Sequence, residues 1–201
     1  MLSLLVVVIV AILGCSPRGS LKRDRASDLH GRILPAPLTK PDFVLSDMNG
    51  EPFDFLEETD GFVTLLFFGY TYCPDVCPIH MSSIASVLQQ MTPVEAAKFR
   101  VVFVTTDPER DTPARLQQWL GAFDRNFIGL TGPLAQVNEI QTSIGLGASF
   151  REDLPNGEYG MAHAAQVLAY TTDNLAHVAY PFGTRQADWA HDLPLLIRGL
   201  Q

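Results

Sequence analysis

Two uninterrupted apolar runs, at 62–68 and 100–105, constrain the fold of this 201-residue chain more than any other feature. Each has the length of a strand, and neither alternates with polar residues, which is the pattern of parallel strands covered on both faces. Parallel strands need a crossover connection, and the helical pattern over 78–91 supplies one between them. The sequence therefore predicts a β-α-β unit at the centre of an α/β domain.

Shorter patterns complete the predicted domain, which extends over 41–201 without an internal repeat. Two antiparallel hairpins, the first near the N-terminus of the domain, are predicted by apolar segments on either side of turn residues: 43–45 with 52–55, and 165–170 with 175–180. Further helices are predicted at 113–123, 133–144 and 186–198, the first two starting at a proline. Together these elements predict a thioredoxin-like α/β sandwich, in which helices flank a central mixed sheet.

Two cysteines, Cys73 and Cys77, follow the first apolar run in the sequence YCPDVCP. This position is the carboxyl end of a buried strand, where ligand sites of α/β sheets cluster and where the start of a helix favours a thiolate. Two thiolates with one imidazole suit Cu(I), and also Cu(II) with a vacant position. Residues four apart on a helix are also close enough for a disulfide, so the oxidised pair is predicted to form one.

Other interpretations of the cysteine pair stay open on the sequence alone. A purely structural disulfide is common in exported proteins. A thioredoxin-type reductase is the enzyme alternative, although such enzymes carry a cis-proline where this chain has Ala162, His163 and Ala164. A closed zinc site would add His80 and His163 to the two cysteines.

Three ordered segments carry a resemblance to a known family: YCPDVCP at 72–78, DPERDTP at 107–113 and GLTG at 129–132. They resemble the motifs of the Sco (SenC) family of copper-delivery proteins for cytochrome c oxidase. The resemblance covers about 41–198 of the chain. It implies a metallochaperone that meets the copper-centre subunit of a terminal oxidase, with a copper donor protein or a thiol reductant as further partners.

The resemblance also implies the ligands, which are Cys73, Cys77 and the distal histidine, His163. Members of the family usually have Asp before this histidine and Ser or Thr after it, whereas this chain has Ala162 and Ala164. The alternative function within the same resemblance is a thiol-disulfide oxidoreductase that reduces the copper-ligand cysteines of the oxidase.

Asp107 follows the second apolar run, at the sheet edge that is predicted to carry the cysteines. This position makes it a candidate for orienting a metal ligand or for facing a partner. The alternative is a purely structural role for this segment, with a turn at Asp107 and a helix cap at 111–113.

The N-terminus predicts export. Residues 1–14 are almost wholly apolar, and they are too few for the roughly 20 that a spanning helix needs. The cysteine that follows, Cys15, resembles the lipid-modified cysteine of bacterial lipoproteins; an uncleaved membrane anchor is the alternative. Both interpretations predict an extracytoplasmic protein attached to the cell membrane.

The segment after Cys15 differs from the domain in the sign of its net charge. Residues 15–40 are predicted to be a flexible tether, with six basic and two acidic residues and hence a net charge of +4. Because the whole chain carries −8, residues 41–201 carry −12. A basic tether suits an anionic lipid surface, and an acidic domain argues against nucleic-acid binding.

Overall fold

The computed structural model describes residues 28–155 and 157–199, which form one large sheet with helices on both faces and a small separate hairpin. The strands are β1 (Arg32–Thr39), β2 (Val44–Asp47), β3 (Pro52–Asp54), β4 (Val63–Gly69), β5 (Phe99–Thr105), β6 (Ile128–Thr131), β7 (Phe150–Asp153), β8 (Tyr159–Ala162), β9 (Val167–Tyr170) and β10 (Leu175–Tyr180). The helices are α1 (Phe55–Glu58), α2 (Val76–Gln90), α3 (Pro93–Ala96), α4 (Pro113–Gly121), α5 (Leu134–Ser143) and α6 (Gln186–Ile197).

The large sheet has the order β1-β10-β9-β4-β5-β6-β2-β3. Strands β4, β5 and β6 are parallel, whereas β9 is antiparallel to β4 and β2 is antiparallel to β6. All seven residues of β4 are buried, as its uninterrupted apolar sequence predicts. Leu65 and Phe67 pack in a core with residues of α2, α4 and α6, while Leu66 and Phe68 pack with α5 on the other face. The predicted mixed sheet flanked by helices is therefore confirmed.

The start of the domain differs from the prediction. Residues 32–39 were expected to belong to the flexible tether, but they form β1, which pairs antiparallel with β10 at the edge of the sheet. Pro35 and Pro37 suggest a linker in the sequence, yet an edge strand tolerates proline because one side of its backbone makes no ladder hydrogen bonds. The strand register shifts between Ile33 and Leu38, around these prolines.

Lys40, the last residue of the predicted tether, is also part of the domain. Its side chain is buried, and Nζ donates hydrogen bonds to the carbonyl of Thr59 at 2.9 Å and to Oγ1 of Thr64 at 3.3 Å. Burial lowers the pKa of Lys40 to about 8. The predicted signal segment and Cys15 lie outside the described residues.

The two predicted hairpins lie on opposite sides of the parallel strands of the large sheet. Strands β2 and β3 pair antiparallel across the turn at 48–51, in which Gly50 adopts a φ of 83°, and β9 pairs with β10. The hairpin of β7 and β8 was not predicted, and it forms its own two-stranded sheet. None of the helices in the described part of the chain could span a lipid bilayer.

Candidate metal centre

The two cysteines lie where β4 gives way to α2. Strand β4 ends at Gly69, a short loop carries Cys73, and α2 begins at Val76, so that Cys77 is in the first turn of the helix. The backbone N–H of Cys77 donates to Sγ of Cys73 at 3.5 Å. Both side chains are buried and both thiols are free. The start of the helix thus presents a backbone donor to the Cys73 sulfur, as the sequence predicts.

His163 approaches the cysteines from the separate hairpin, because it directly follows β8. Its Nε2 lies 3.8 Å from Sγ of Cys77, and its Nδ1 lies 3.1 Å from the carbonyl oxygen of Ala164. The ring also packs edge-on against Phe67 and Tyr70. When Nδ1–H donates to the carbonyl, Nε2 keeps its lone pair toward the sulfur, which is the tautomer that a metal ligand requires.

The three predicted ligands therefore come together: one ligand atom from each of Cys73, Cys77 and His163 lies within 4.8 Å of the other two. The carbonyl of Ala164 and the two aromatic rings orient the imidazole. Members of the family usually have polar side chains on both sides of this histidine, and this chain has alanine there. Its imidazole is oriented by the carbonyl and the two rings instead. Alanine on both sides is consequently compatible with a well-placed ring.

The two thiols differ in acidity. A hydrogen bond from the Cys77 side chain, helped by backbone N–H groups, outweighs burial and lowers the pKa of the Cys73 thiol to about 4. Burial raises the pKa of Cys77 well above its usual value, and the neighbouring Cys73 thiolate raises it further. The reduced, metal-free pair consists of a thiolate at Cys73 and a protonated thiol at Cys77.

This difference predicts selective alkylation of the reduced, metal-free chain. Iodoacetamide should label Cys73 alone at pH 6, with a rate that stays level up to neutral pH and falls only as Cys73 is protonated near its pKa of about 4. Peptide mapping by mass spectrometry measures the label, and Cys77→Ala, which removes the hydrogen-bond donor, should move the profile to higher pH. A rate that instead climbs tenfold per pH unit toward a pKa of about 8.5 would contradict the assignment.

Gly69 permits the close approach of the second sulfur, and sequence reasoning missed it. A Cβ at this position would lie 2.7 Å from Sγ of Cys77 and 3.1 Å from ring carbons of Phe67 and Phe103. Real Cβ atoms do not come that close to a sulfur, so the position needs glycine. The sequence does contain a signal for this role. A glycine that ends a buried strand, just before the cysteine loop, often indicates that another part of the protein approaches the backbone closely.

Asp111 anchors the cysteine loop to β5. It is fully buried, and it accepts hydrogen bonds from the backbone N–H of Thr71 at 2.9 Å, from Oγ1 of Thr71 at 2.6 Å and from Oγ1 of Thr105 at 2.7 Å. Burial raises its pKa. The helix cap predicted at 111–113 is made by Thr112, whose side chain accepts from the N–H of Arg115. Asp111 itself serves a contact across the sheet that its local sequence does not indicate.

Asp107 lies at the predicted sheet edge, and its contacts lead to the histidine hairpin. Its carboxylate pairs with Arg110 and accepts from the hydroxyl of Tyr159 at 3.1 Å, while Nη1 of Arg110 donates to the carbonyl of Tyr159 at 3.1 Å. Tyr159 begins β8, the strand that ends just before His163. Asp107 therefore holds the hairpin that carries the imidazole, and the described contacts of its carboxylate do not include the imidazole itself.

His80 lies in the core beside the centre, and the structure does not bring it into the ligand group. Its Nε2 lies 3.2 Å from the carbonyl oxygen of Ala165, and its ring packs edge-on against Phe67 and Trp189. Burial lowers the pKa of His80 and favours the neutral ring. The four-ligand zinc set that would include this histidine is thus not assembled among the described residues.

Comparison with known proteins gives consistent matches over the described domain. The sequence profile of the SCO1/SenC family matches residues 32–198. A protein from Stutzerimonas stutzeri, provisionally named as copper-binding, is 32% identical over 141 residues, which are 70% of this chain and 68% of that protein. The mitochondrial protein SCO2 of Saccharomyces cerevisiae is 33% identical over 123 residues, which are 61% of this chain but only 40% of the yeast protein.

Solved structures share the fold. Bradyrhizobium japonicum ScoI, solved with copper bound, is 33% identical with a TM-score of 0.69, and the match covers 79% of this chain and 99% of that one. Apo Sco1 from Thermus thermophilus is 29% identical with a TM-score of 0.73, and the match covers 84% of this chain and 97% of that one. These structures confirm the predicted thioredoxin-like fold. Because the family profile spans most of the chain, including the segments that carry both cysteines and His163, this protein belongs to the SCO1/SenC family.

Proposed function

We propose that this protein is a copper metallochaperone that carries one copper ion and delivers it for assembly of the dinuclear copper centre of cytochrome c oxidase. The observation that carries the proposal is the convergence of Cys73, Cys77 and His163 within 4.8 Å at the sheet edge. Family membership supports it, and so does the bound copper in the related ScoI structure. The copper ion is thus the substance that the protein delivers, and not a resident cofactor.

The donor set suits a transferable copper ion. Two sulfurs and one imidazole match the preference of Cu(I), and three protein ligands leave room for an incoming ligand from an acceptor. Cys77 is protonated in the metal-free chain because burial raises its pKa, so copper must displace that proton to gain the second thiolate. His163 is only partly buried, which gives an acceptor access to one side of the ion.

A thiol-disulfide reductase is the second candidate, and the unequal acidity of the two thiols favours it. The Cys73 thiolate would attack a disulfide of the target and form a mixed disulfide; Cys77 would then lose its proton, displace the target and close an intramolecular disulfide. Two electrons pass to the target, which leaves as two thiols. Thioredoxin-type reductases carry a cis-proline beside the active site. The described residues contain no cis peptide bond.

The deciding experiment removes the imidazole, because delivery requires it and dithiol reduction does not. In cells that lack the protein, His163→Ala should fail to restore oxidase activity at limiting copper, as the double cysteine variant fails. The matched control is His177→Ala. The imidazole of His177 lies 2.9 Å from the carboxylate of Asp173 and does not belong to the ligand group. This control should restore full activity.

The opposite pattern would reassign the function. Full rescue by His163→Ala, with loss only in variants of Cys73 and Cys77, would leave thiol reduction as the activity. Immunoblots of membrane fractions establish that each variant accumulates to the level of the unmodified protein. Oxidase activity is then compared at equal protein amounts.

Attachment to the outer face of the cell membrane through lipid on Cys15 is a further part of this proposal, and it is supported by the apolar residues before the cysteine. Cys15→Ser should block lipid attachment and leave the leader uncleaved, whereas Ser16→Ala should be processed normally. Intact-mass measurement and membrane fractionation check both outcomes. Normal processing of Cys15→Ser would show that this cysteine is an ordinary leader residue.

A further inference from the structure

A second group of metal-ligating side chains, apart from the cysteines, lies where the first described residues meet α6. His30, His191 and Asp192 each place one ligand atom within 4.8 Å of the other two. His30 precedes β1, whereas His191 and Asp192 belong to α6. The group therefore joins the first described residues to the last helix of the domain.

The two imidazoles lie face to face and are open to solvent. Their ring centroids are 3.9 Å apart with an interplanar angle of 3°, and the side chains of His30 and His191 are 47% and 41% exposed. An ion can thus reach both rings from outside. Because the rings are exposed, they can also rotate out of the parallel stack so that both nitrogen lone pairs converge on one ion.

Each ring nitrogen Nδ1 faces a carboxylate. Nδ1 of His30 lies 3.0 Å from Oδ1 of Asp188, and Nδ1 of His191 lies 2.7 Å from Oδ1 of Asp192. These contacts favour a proton on Nδ1 and leave the lone pair on Nε2, for which the described residues supply no hydrogen-bond partner. Histidines that bind metals are held by carboxylates in this same way.

Asp192 gives the group a rigid base. Its carboxylate is fully buried, and it accepts hydrogen bonds from the hydroxyl of Tyr180 at 3.0 Å and from the backbone N–H groups of His30 and Gly31 at 2.9 Å each. The backbone that carries the first imidazole is therefore fixed to the helix that carries the second. The backbone positions of the two histidines are thus ordered before an ion arrives, and only the exposed rings have to turn.

We propose that His30 and His191, supported by Asp192, form a second metal site that binds one divalent late first-row cation, with Cu(II) preferred. Imidazole and carboxylate donors suit Cu(II) and Zn(II), and the order of affinities among divalent ions favours Cu(II). The absence of sulfur from this group disfavours Cu(I), which the thiolates of the first site prefer. A bound ion also stabilises the folded domain, since the unfolded chain does not hold the two histidines together.

The test uses the full chain with all three cysteines replaced by alanine, so that Cu(II) neither binds at the thiols nor oxidises them. Titration with Cu(II) alone should give one ion per chain, with nitrogen hyperfine coupling in the electron paramagnetic resonance spectrum and a higher melting temperature. His30→Asn and His191→Asn should each abolish stoichiometric binding and the rise in melting temperature. His177→Asn, which removes a histidine that also pairs with a carboxylate but has no second imidazole beside it, should change neither.

A second measurement avoids reliance on the cysteine-free chain. The unmodified chain is loaded with one equivalent of Cu(I) and then titrated with Zn(II), which should bind at one further site that His30→Asn and His191→Asn remove. Unchanged binding in the doubly substituted His30→Asn/His191→Asn chain would overturn the proposal, and so would the absence of any stoichiometric Cu(II) or Zn(II). In either case the stacked rings serve only to pack the N-terminal residues against α6.

Discussion

Replacement of either cysteine by alanine should abolish tight copper binding, which is the largest effect that the structure predicts. The reduced chain should bind one Cu(I), because Cys73, Cys77 and His163 form one group. Cys73→Ala or Cys77→Ala leaves a single thiolate and an imidazole, and these two donors hold Cu(I) poorly. Competition with a Cu(I) chelator, together with the ratio of copper to protein, measures the loss.

Two histidine variants complete this test. His163→Ala should weaken Cu(I) binding and change the absorption of the Cu(II)-thiolate form, because it removes the third ligand. His80→Gln should leave both unchanged, since glutamine can still donate to the carbonyl of Ala165. Wild-type affinity in both single cysteine variants would refute the site, and loss of copper in His80→Gln instead of His163→Ala would move the third ligand onto α2.

Gly69→Ala should produce the second large effect, a loss of copper affinity together with a loss of stability. The added methyl carbon would lie 2.7 Å from Sγ of Cys77, with the ring carbons of Phe67 and Phe103 close on the other sides. Neither ring can withdraw easily, because both are fully buried in the core. We expect the sulfur to be displaced, the Cu(I) affinity to fall at least tenfold, and the free energy of unfolding to fall by about 1–3 kcal/mol.

The matched control is Gly121→Ala, at the end of α4, where an added Cβ meets no atom within 4 Å. This variant should keep its copper affinity and should gain up to about 1 kcal/mol of stability from the better helix propensity of alanine. Denaturant unfolding and Cu(I) competition are measured on both variants. If Gly69→Ala were destabilised but bound Cu(I) with unchanged affinity, the glycine would serve packing alone and would not position the sulfur.

Local pattern was sufficient to predict the centre of the fold. The apolar runs correspond to β4 and β5, and the cysteine loop between strand and helix follows from them. His163 was different, because a single histidine carries no local signal, and only the family resemblance identified it. The hairpin that presents it was missed because β7 is fully exposed and shows no apolar alternation that predicts a strand.

Contacts distant in sequence account for the remaining differences. Asp111 has the local pattern of a helix cap, yet its hydrogen bonds reach Thr71, forty residues earlier in the chain. The prolines of β1 are typical of a linker, and the strand forms only because it pairs with β10, more than a hundred residues away. Propensity and periodicity report neighbours along the chain, so they cannot reveal an interaction that exists only after the sheet has assembled.

The position of β1 also decides how much of the chain is needed for a soluble domain. A fragment that starts at residue 41, where the sequence alone placed the boundary, lacks both the strand and Lys40. In such a fragment β10 still pairs with β9, but the side of its backbone that faced β1 has no partner and can pair with another copy. A fragment that begins before Arg32 keeps this edge covered, and we expect it to stay monodisperse under conditions in which the shorter fragment aggregates.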